Sequence, residues 1–225
     1  MPAAELLTVD DFIRHWAQDR PTRPAMVGER RIDFAELEAS TARVASALQA
    51  AGLKKGDRIA WLGKNAVLYF TLLFGAARLG VVMAPVGWRL AGPERQYIID
   101  DTESKLLFAG EGFADEARAL APELPRLQRV FSADEAWAWI DAATPAPFTP
   151  SGPEDTILQL YTSGTTGHPK GVELCNRNLF GLRRAAQDAG LPWAAWDDDE
   201  VVMVAMPCAH IGGTGLGFMA LSGGV

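Results

Sequence analysis

The sequence predicts an α/β fold in which lobes of parallel sheet are covered by helices. Between residues 33 and 131, segments with helical periodicity alternate with short apolar segments of strand composition. Strands separated by helices of this length pair in parallel through right-handed crossovers, and the helices then lie on the sheet. The 225 residues are 48% hydrophobic, which is enough to bury a sizeable core.

The amino-terminal part of the chain predicts two helices and a strand. An amphipathic helix contains His15, and a second helix begins after Asp33, a capping residue with Glu36 at the capping-box position. Gly52 ends this second helix. A strand over residues 58–62 follows. The apolar face of the second helix has helical spacing and consists of Leu37, Thr41, Val44 and Leu48.

The apolar stretch over residues 66–88 approaches the length of a membrane span. Arg78 lies inside it, and Pro85 is expected to end a buried strand. A helix over residues 65–79 followed by a strand over residues 81–84 therefore explains the stretch better than a membrane span does.

The alternation continues up to a proline-rich segment. We predict helices over residues 93–101 and 114–120, and strands over residues 105–109 and 127–131. Residues 144–153 contain four prolines, which prevent regular structure and mark a boundary between lobes. Residues 1–150 are therefore predicted to form a first lobe, and residues 151–225 to begin a second.

Residues 161–172 carry the most functional information, and they read Tyr-Thr-Ser-Gly-Thr-Thr-Gly-His-Pro-Lys-Gly-Val. Glycines in such a loop allow successive backbone N–H groups to point at an anion, while hydroxyls and a lysine add donors and charge. Residues 156–161 and 171–175 have the composition of two hairpin strands around it. The predicted phosphate-binding residues are Thr162, Ser163, Gly164, Thr165, Thr166, Gly167 and Lys170.

Three alternative roles for this loop fit its residues less well. A Walker loop needs Gly-Lys-Ser/Thr at the start of a helix, whereas Lys170 lies between Pro169 and Gly171. The mismatch also disfavours a kinase-like phosphotransferase. A surface hairpin without a ligand is disfavoured by the density of hydroxyls and glycines.

Composition and charge exclude several classes of protein. A net charge of −7 and a pI near 5.0 disfavour nucleic acids and anionic membranes as partners. Two cysteines are too few for a disulfide framework, and the amino terminus lacks the pattern of a signal peptide, so we expect a cytoplasmic protein. The aspartates at positions 197–199 are expected to form a solvated turn, and no metal site is predicted.

Residues 162–172 closely resemble the signature of the adenylate-forming superfamily, which contains acyl-CoA synthetases, luciferases and the adenylation domains of peptide synthetases. Further landmarks of that family's amino-terminal half are matched by residues 20–27, 34–37, 56–60 and 80–90. The resemblance covers nearly the whole chain. It implies an acid–thiol ligase in which a carboxylate attacks the α-phosphate of ATP, pyrophosphate leaves, and a thiol captures the acyl-adenylate. The implied cofactors are ATP and Mg²⁺, and the implied partners are a carboxylic acid and CoA.

His210 is the second informative residue, and it follows an apolar segment over residues 201–206 that is predicted to be a strand ending at Pro207. The residues alone leave it either a structural histidine or a ligand contact. The resemblance implies that Pro207-Cys-Ala-His210 lines the acyl pocket, although Cys208 and Ala209 depart from the usual Leu-Phe. The lack of an acidic residue here favours a plain carboxylate over an amino acid. The predicted substrate-binding residues are His210, Gly212, Gly213 and Thr214.

The resemblance also implies that the chain corresponds to the amino-terminal part of an acyl-CoA synthetase. The family's adenine motif, ribose-binding aspartate and catalytic lysine are not found in the 225 residues. We therefore expect no catalytic residue in this part, no activity from it alone, and self-association through an uncovered sheet edge. A non-catalytic nucleotide-binding or interaction module and a ligase for an amino or aryl acid remain alternatives. Acyl chain length and the thiol acceptor stay open.

Overall fold

A computed structural model of the chain describes residues 6–162, 168–191, 196–197 and 199–225, with the backbone alone at 182–183. The strands are β1 (Pro24–Val27), β2 (Arg31–Asp33), β3 (Arg58–Leu62), β4 (Val82–Val86), β5 (Leu106–Ala109), β6 (Arg129–Phe131), β7 (Thr156–Thr162) and β8 (Lys170–Cys175). The helices are α1 (Val9–Asp19), α2 (Phe34–Ala50), α3 (Val67–Leu79), α4 (Gly92–Asp101), α5 (Ala114–Leu120), α6 (Ala133–Asp141), α7 (Asn176–Asp188) and α8 (Ile211–Gly223).

A six-stranded sheet with the order β6-β5-β3-β4-β7-β8 forms the centre of the molecule. Its first five strands run parallel, and β8 returns antiparallel to β7 as a hairpin. Strands β1 and β2 form a separate antiparallel pair. The predicted α/β class with a mainly parallel sheet is therefore confirmed.

Helices cover both faces of the sheet, and the direction of each crossover explains which face each helix takes. The connections β3–α3–β4 and β6–α6–β7 run one way along the sheet, whereas β4–α4–β5 and β5–α5–β6 run the other way. Right-handed crossovers in opposite directions place their helices on opposite faces. Accordingly, Ile59 and Trp61 of β3 lie in the core with α3 and α6, while Ala60 and Leu62 lie in the core with α4 and α5.

Most elements agree with the sequence prediction within two residues. Asp33 caps α2 by accepting a hydrogen bond from the backbone N–H of Glu36 at 2.8 Å, and the predicted apolar face of α2 is buried. The carboxylate of Glu36 instead accepts from Arg43 at 2.5 Å. Helix α6 was not predicted, although Ser132 and Glu135 form a capping box that signals its start.

Two predictions about strands are wrong: where β4 ends, and whether residues 201–206 form a strand. Pro85 lies inside β4 and does not end it. Proline is tolerated there because β4 pairs with β7 at Met83 alone, so Pro85 faces no paired residue of β7. The apolar residues 201–206, predicted as a strand, have no regular structure, since Val201 and Met203 are 92% and 82% exposed and join no sheet.

The long apolar stretch forms α3 and β4, both of which are buried in the core. Within the described part of the chain, no helix is both long and apolar enough to cross a membrane. Strands β7 and β8 extend the sheet that β3 to β6 begin, so residues on both sides of position 150 share one sheet. The division into lobes at that position stays a prediction.

Arg78 is a charged residue inside this apolar core, and its side chain is 1% exposed. Its guanidinium donates to the carboxylate of Asp10 at 2.7 Å and to the hydroxyl of Thr41 at 2.9 Å. It also donates to the backbone oxygen and the carboxylate of Glu38, both at 3.1 Å. The network ties α1, α2 and α3 together, and it satisfies a charge that would otherwise be costly to bury.

We expect Asp10→Ala to destabilise the chain by about 3–5 kcal/mol, because it removes the closer and more deeply buried of the two carboxylates that pair with the guanidinium of Arg78. Asp141→Ala is the matched control. It removes a carboxylate whose ion pair with Arg30 is 42% and 47% exposed, and it should cost at most about 1 kcal/mol. Urea unfolding followed by circular dichroism measures both values, and equal losses would contradict a dominant role for the buried network.

Candidate functional site

The carboxyl ends of the parallel strands meet at one edge of the sheet. Leu62 ends β3 at this edge, Val86 ends β4, and Thr162 ends β7. The chain reverses direction along the sheet between β3 and β4, because β5 follows β4 but pairs with the other side of β3. In open α/β sheets, ligands bind outside the carboxyl ends at such a switch point.

The two described ends of the predicted phosphate loop lie opposite each other at this edge. Thr162 and Lys170 are paired across the β7–β8 hairpin, and both residues are exposed. The hairpin register therefore places a hydroxyl and a positive charge at the mouth of the loop. The other five predicted phosphate-binding residues, Ser163, Gly164, Thr165, Thr166 and Gly167, lie outside the described residues.

Contacts with α4 hold both ends of this loop. Tyr161 donates its hydroxyl to the carboxylate of Asp101 at 2.5 Å. Burial of the phenol, together with the neighbouring Asp101 carboxylate, raises the pKa of Tyr161 well above its usual range, so this donor stays protonated at physiological pH. On the other side, the ring of His168 stacks on Tyr97 with centroids 5.0 Å apart.

His210 lies at the amino end of α8 as its N-cap residue, with an exposed side chain. Its backbone N–H donates to the oxygen of Pro207 at 3.0 Å, and its own carbonyl accepts from Gly213 at 3.1 Å and from Thr214 at 3.2 Å. These bonds close a tight turn before the helix. A Cβ at Gly213 would lie 2.4 Å from the backbone oxygens of Met206 and Pro207, so the turn leaves no room for a side chain.

The four predicted substrate-binding residues differ in solvent exposure. His210 is exposed and Gly212 is partly exposed, whereas Gly213 and Thr214 are buried. The hydroxyl of Thr214 donates to the backbone oxygen of Cys208 at 2.6 Å and lies 2.6 Å from the hydroxyl of Tyr69. Because this hydroxyl is engaged inside the protein, the arrangement supports a structural role for Thr214, and His210 and Gly212 are the two accessible residues of the predicted set.

Two residues that contact this turn were missed in the sequence. Asn65 lies between β3 and α3, Tyr69 lies in the first turn of α3, and both bind the segment that carries His210. The position of Asn65, three residues after the end of β3, is the signal that could have found it, because functional residues of α/β folds follow the carboxyl ends of strands.

Neither a nucleophile nor a metal site emerges from the described residues. Burial raises the pKa of the Cys208 thiol to about 12, so the thiol stays neutral and is a poor nucleophile. No group of three or more histidine, cysteine, aspartate or glutamate side chains is placed to hold a metal ion in the part of the chain that the structure describes. The Mg²⁺ implied by the resemblance therefore has no protein ligands assigned among these residues.

Comparison with known proteins identifies the family. Residues 13–225 match the family of AMP-binding enzymes. The chain is 41% identical over 214 residues to the fatty acid–[acyl-carrier-protein] ligase ScoC of Streptomyces coeruleorubidus, covering 93% of this chain and 41% of that protein. It is 35% identical over 188 residues to the long-chain-fatty-acid–CoA ligase FadD13 of Mycobacterium tuberculosis, covering 80% of this chain and 36% of that protein.

A solved structure shows the same fold. The inhibitor-bound amino-terminal domain of FACL13 from Mycobacterium tuberculosis superposes with a TM-score of 0.81 at 31% identity, covering 97% of this chain and 56% of that one. The chain spans about two fifths of the length of the two curated ligases. The match to the AMP-binding enzyme family and the match to a solved structure agree, and together they confirm the resemblance found in the sequence. The chain therefore belongs to the AMP-binding enzyme family and corresponds to the amino-terminal part of its acyl ligases.

Proposed function

We propose that residues 1–225 are the amino-terminal part of an ATP-dependent ligase that activates a carboxylic acid as an acyl-adenylate and transfers the acyl group to a thiol. The observation that carries the proposal is the position of Thr162 and Lys170, opposite each other where β7 ends at the carboxyl edge of the sheet. Both residues lie at the edge of the sheet where α/β folds bind nucleotides.

Lys170 and the loop hydroxyls would act on the β- and γ-phosphates of ATP. When the carboxylate attacks the α-phosphate, the bond to pyrophosphate breaks and negative charge develops on the leaving group. Preorganised donors at that position stabilise the transition state more than the bound substrate. Mg²⁺ bound with ATP would neutralise further phosphate charge. The contacts of Tyr161 and His168 with α4 hold the two ends of the loop.

His210 and the first turn of α8 would bind the carboxylate side of the acid. The N–H groups of Ile211 and Gly212 belong to the first turn of a 13-residue helix, where backbone donors lack intrahelical acceptors and the helix dipole favours an anion. The exposed imidazole of His210 adds a further donor beside them. Residues 207–215 contain no acidic side chain that would pair with a substrate ammonium, which favours a fatty or aryl acid.

The thiol acceptor has two candidates. CoA is the acceptor named for relatives such as FadD13. The thiol of an acyl carrier protein is the second candidate, because the 41% identical ScoC is a fatty acid–[acyl-carrier-protein] ligase. Both candidates use the same adenylation step. Incubating the product of the complete reading frame that contains residues 1–225 with ATP, a radiolabelled fatty acid and either acceptor separates them, and no adenylate with any fatty or aryl acid would refute the proposal.

The first prediction concerns the phosphate loop. In the product of the complete reading frame, Lys170→Ala should slow adenylate formation by roughly ten- to a thousand-fold, the range for losing one preorganised charge-stabilising donor. Lys54→Ala, which removes an exposed lysine at the amino end of β3, is the control and should change little. Pyrophosphate exchange measures this step. Thioester formation from preformed acyl-adenylate should be nearly unaffected, and equal slowing of both steps would make the loop a structural element.

The second prediction concerns the acid side. His210→Ala should lower kcat/KM for the acid by about ten- to a hundred-fold, the range for one hydrogen bond to a charged group, with a smaller effect on the KM for ATP. His15→Ala removes a histidine of α1 and serves as the control. Steady-state kinetics with several aliphatic and aryl acids provide the measurement. Unchanged kinetics with all of them would return His210 to a structural role.

The third prediction concerns self-association. Val201 and Met203 expose large apolar side chains, and isolated exposed apolar patches of this kind favour association. We expect the 225-residue chain to show a molar mass in light scattering that rises with concentration, and we expect the double substitution Val201→Lys, Met203→Lys to reduce the rise. A monomer at all concentrations before substitution would show that this surface drives no association.

A further inference from the structure

The segment that carries His210 belongs to no strand, so its position depends on other contacts. Residues 201–206 have no regular structure, and the side chains of Met203 and Met206 are 82% and 53% exposed. A segment without a sheet partner leaves its backbone polar groups to be satisfied elsewhere. For the backbone of residues 204–208, the hydrogen-bond partner is a side chain from the segment that joins β3 to α3.

The amide of Asn65 satisfies this backbone at three points. Its Nδ2 donates to the backbone oxygens of Val204 at 2.9 Å and Met206 at 2.8 Å. Its Oδ1 accepts from the backbone N–H of Cys208 at 2.9 Å. Both donor hydrogens and the acceptor oxygen of the amide are therefore used on one stretch of five residues, two residues before His210.

Tyr69 holds the other side of His210. It lies four residues after Asn65, in the first turn of α3. Its hydroxyl is 2.6 Å from the hydroxyl of Thr214, which in turn donates to the backbone oxygen of Cys208 at 2.6 Å. Burial raises the pKa of Tyr69, so it remains a donor at physiological pH. The next residue, Phe70, packs so closely on Gly217 of α8 that a Cβ there would lie 2.4 Å from its ring.

We propose that Asn65 is a positioning residue for acid activation: together with Tyr69 it fixes residues 204–214 to the carboxyl end of β3, and thereby places His210 and the first turn of α8. The proposal rests on the proposed function of His210. Asn65 follows the end of β3 by three residues, and the phosphate loop begins at the end of β7 at the same edge. The contacts thus tie the acid side to the strand frame that also holds the loop, and a small displacement of a reacting group is costly in rate.

A structural role alone would predict only a loss of stability, so the control must lose similar bonds elsewhere. Asn176 supplies that control. Its side chain also makes three hydrogen bonds, accepting from the N–H of Val9 at 3.1 Å and donating to Ser151 Oγ at 3.1 Å and to the oxygen of Gly152 at 3.0 Å. It lies at the start of α7 and does not bind residues 204–214.

The experiment uses the product of the complete reading frame and the variants Asn65→Ala, Asn65→Asp, Tyr69→Phe and Asn176→Ala. Asn65→Asp is isosteric but replaces both donors with an oxygen, and Tyr69→Phe keeps the ring and removes the hydroxyl. Three quantities are measured: kcat/KM for the acid, KM for ATP, and the rate at which a thiol reagent labels Cys208 at mildly alkaline pH, followed by peptide mass spectrometry. Circular dichroism confirms that each variant is folded.

We expect both Asn65 variants to lower kcat/KM for the acid by about ten-fold or more, with little change in the KM for ATP. Tyr69→Phe should have a smaller effect in the same direction. Labelling of Cys208 should be slow in the unchanged protein, since the residue is 3% exposed and its thiol pKa is about 12, and faster in the Asn65 variants. Asn176→Ala should change neither quantity.

Any other outcome contradicts either the positioning role of Asn65 or the acid-binding role of His210, and the pattern of results shows which of the two fails. If Asn65→Ala left both the labelling and the acid kinetics unchanged while His210→Ala impaired acid activation, Asn65 would not position the segment. If labelling became faster but the acid kinetics stayed unchanged, the contact would be structural only. If His210→Ala also had no effect, the assignment of the acid side would fail. An equal effect of Asn176→Ala on acid kinetics would show a loss of stability and not of position.

Discussion

Helix α3 packs against the core on every side, and the helices around it and the segment that carries His210 take their positions from this packing. Nearly every residue of α3 is buried, and the ring of Phe74 contacts Phe12 of α1 and Phe218 of α8. A Cβ at Gly75 would lie 2.3 Å from Val44, so only glycine lets α2 approach this closely. Each fully buried large apolar side chain contributes about 1.5–3 kcal/mol, which makes α3 a rigid reference for the elements around it.

The order of the strands determines which helix supports each part of the candidate site. Because the crossovers run in two directions, α3 lies on one face of the sheet and α4 on the other. The two ends of the predicted phosphate loop are then held by contacts of Tyr161 and His168 with α4. The His210 segment is held by Asn65, just before α3, and by Tyr69 in the first turn of α3. The ends of the loop at residues 162 and 170 and the His210 segment are far apart in sequence. Contacts with different helices hold them at the same edge of the sheet.

The sequence could predict those parts of the structure whose cause is local. The cap at Asp33 and the glycine stop at Gly52 follow from backbone hydrogen-bonding needs within a few residues, and Gly52 has a φ of 80°. The β7–β8 hairpin and the loop between its strands were predicted because strand composition and glycine placement lie in one continuous segment. Alternation of helices and strands then predicted the parallel sheet, because crossover geometry leaves few other arrangements.

The sequence by itself therefore determined the fold class and the resemblance to adenylate-forming enzymes, and it predicted a phosphate-binding role for residues 162–170. Only the tertiary structure decided which residues of the acid side face outwards. Thr214 is hydrophilic and adjacent to the glycines, yet its hydroxyl points to Tyr69, 145 positions away in sequence. Residues 201–206 have the composition of a strand but no strand beside them, and Asn65 takes that role from 139 positions away. Such contacts join residues far apart in the chain, and no local pattern encodes them because hydrogen-bond partners are chosen by the packing of whole elements.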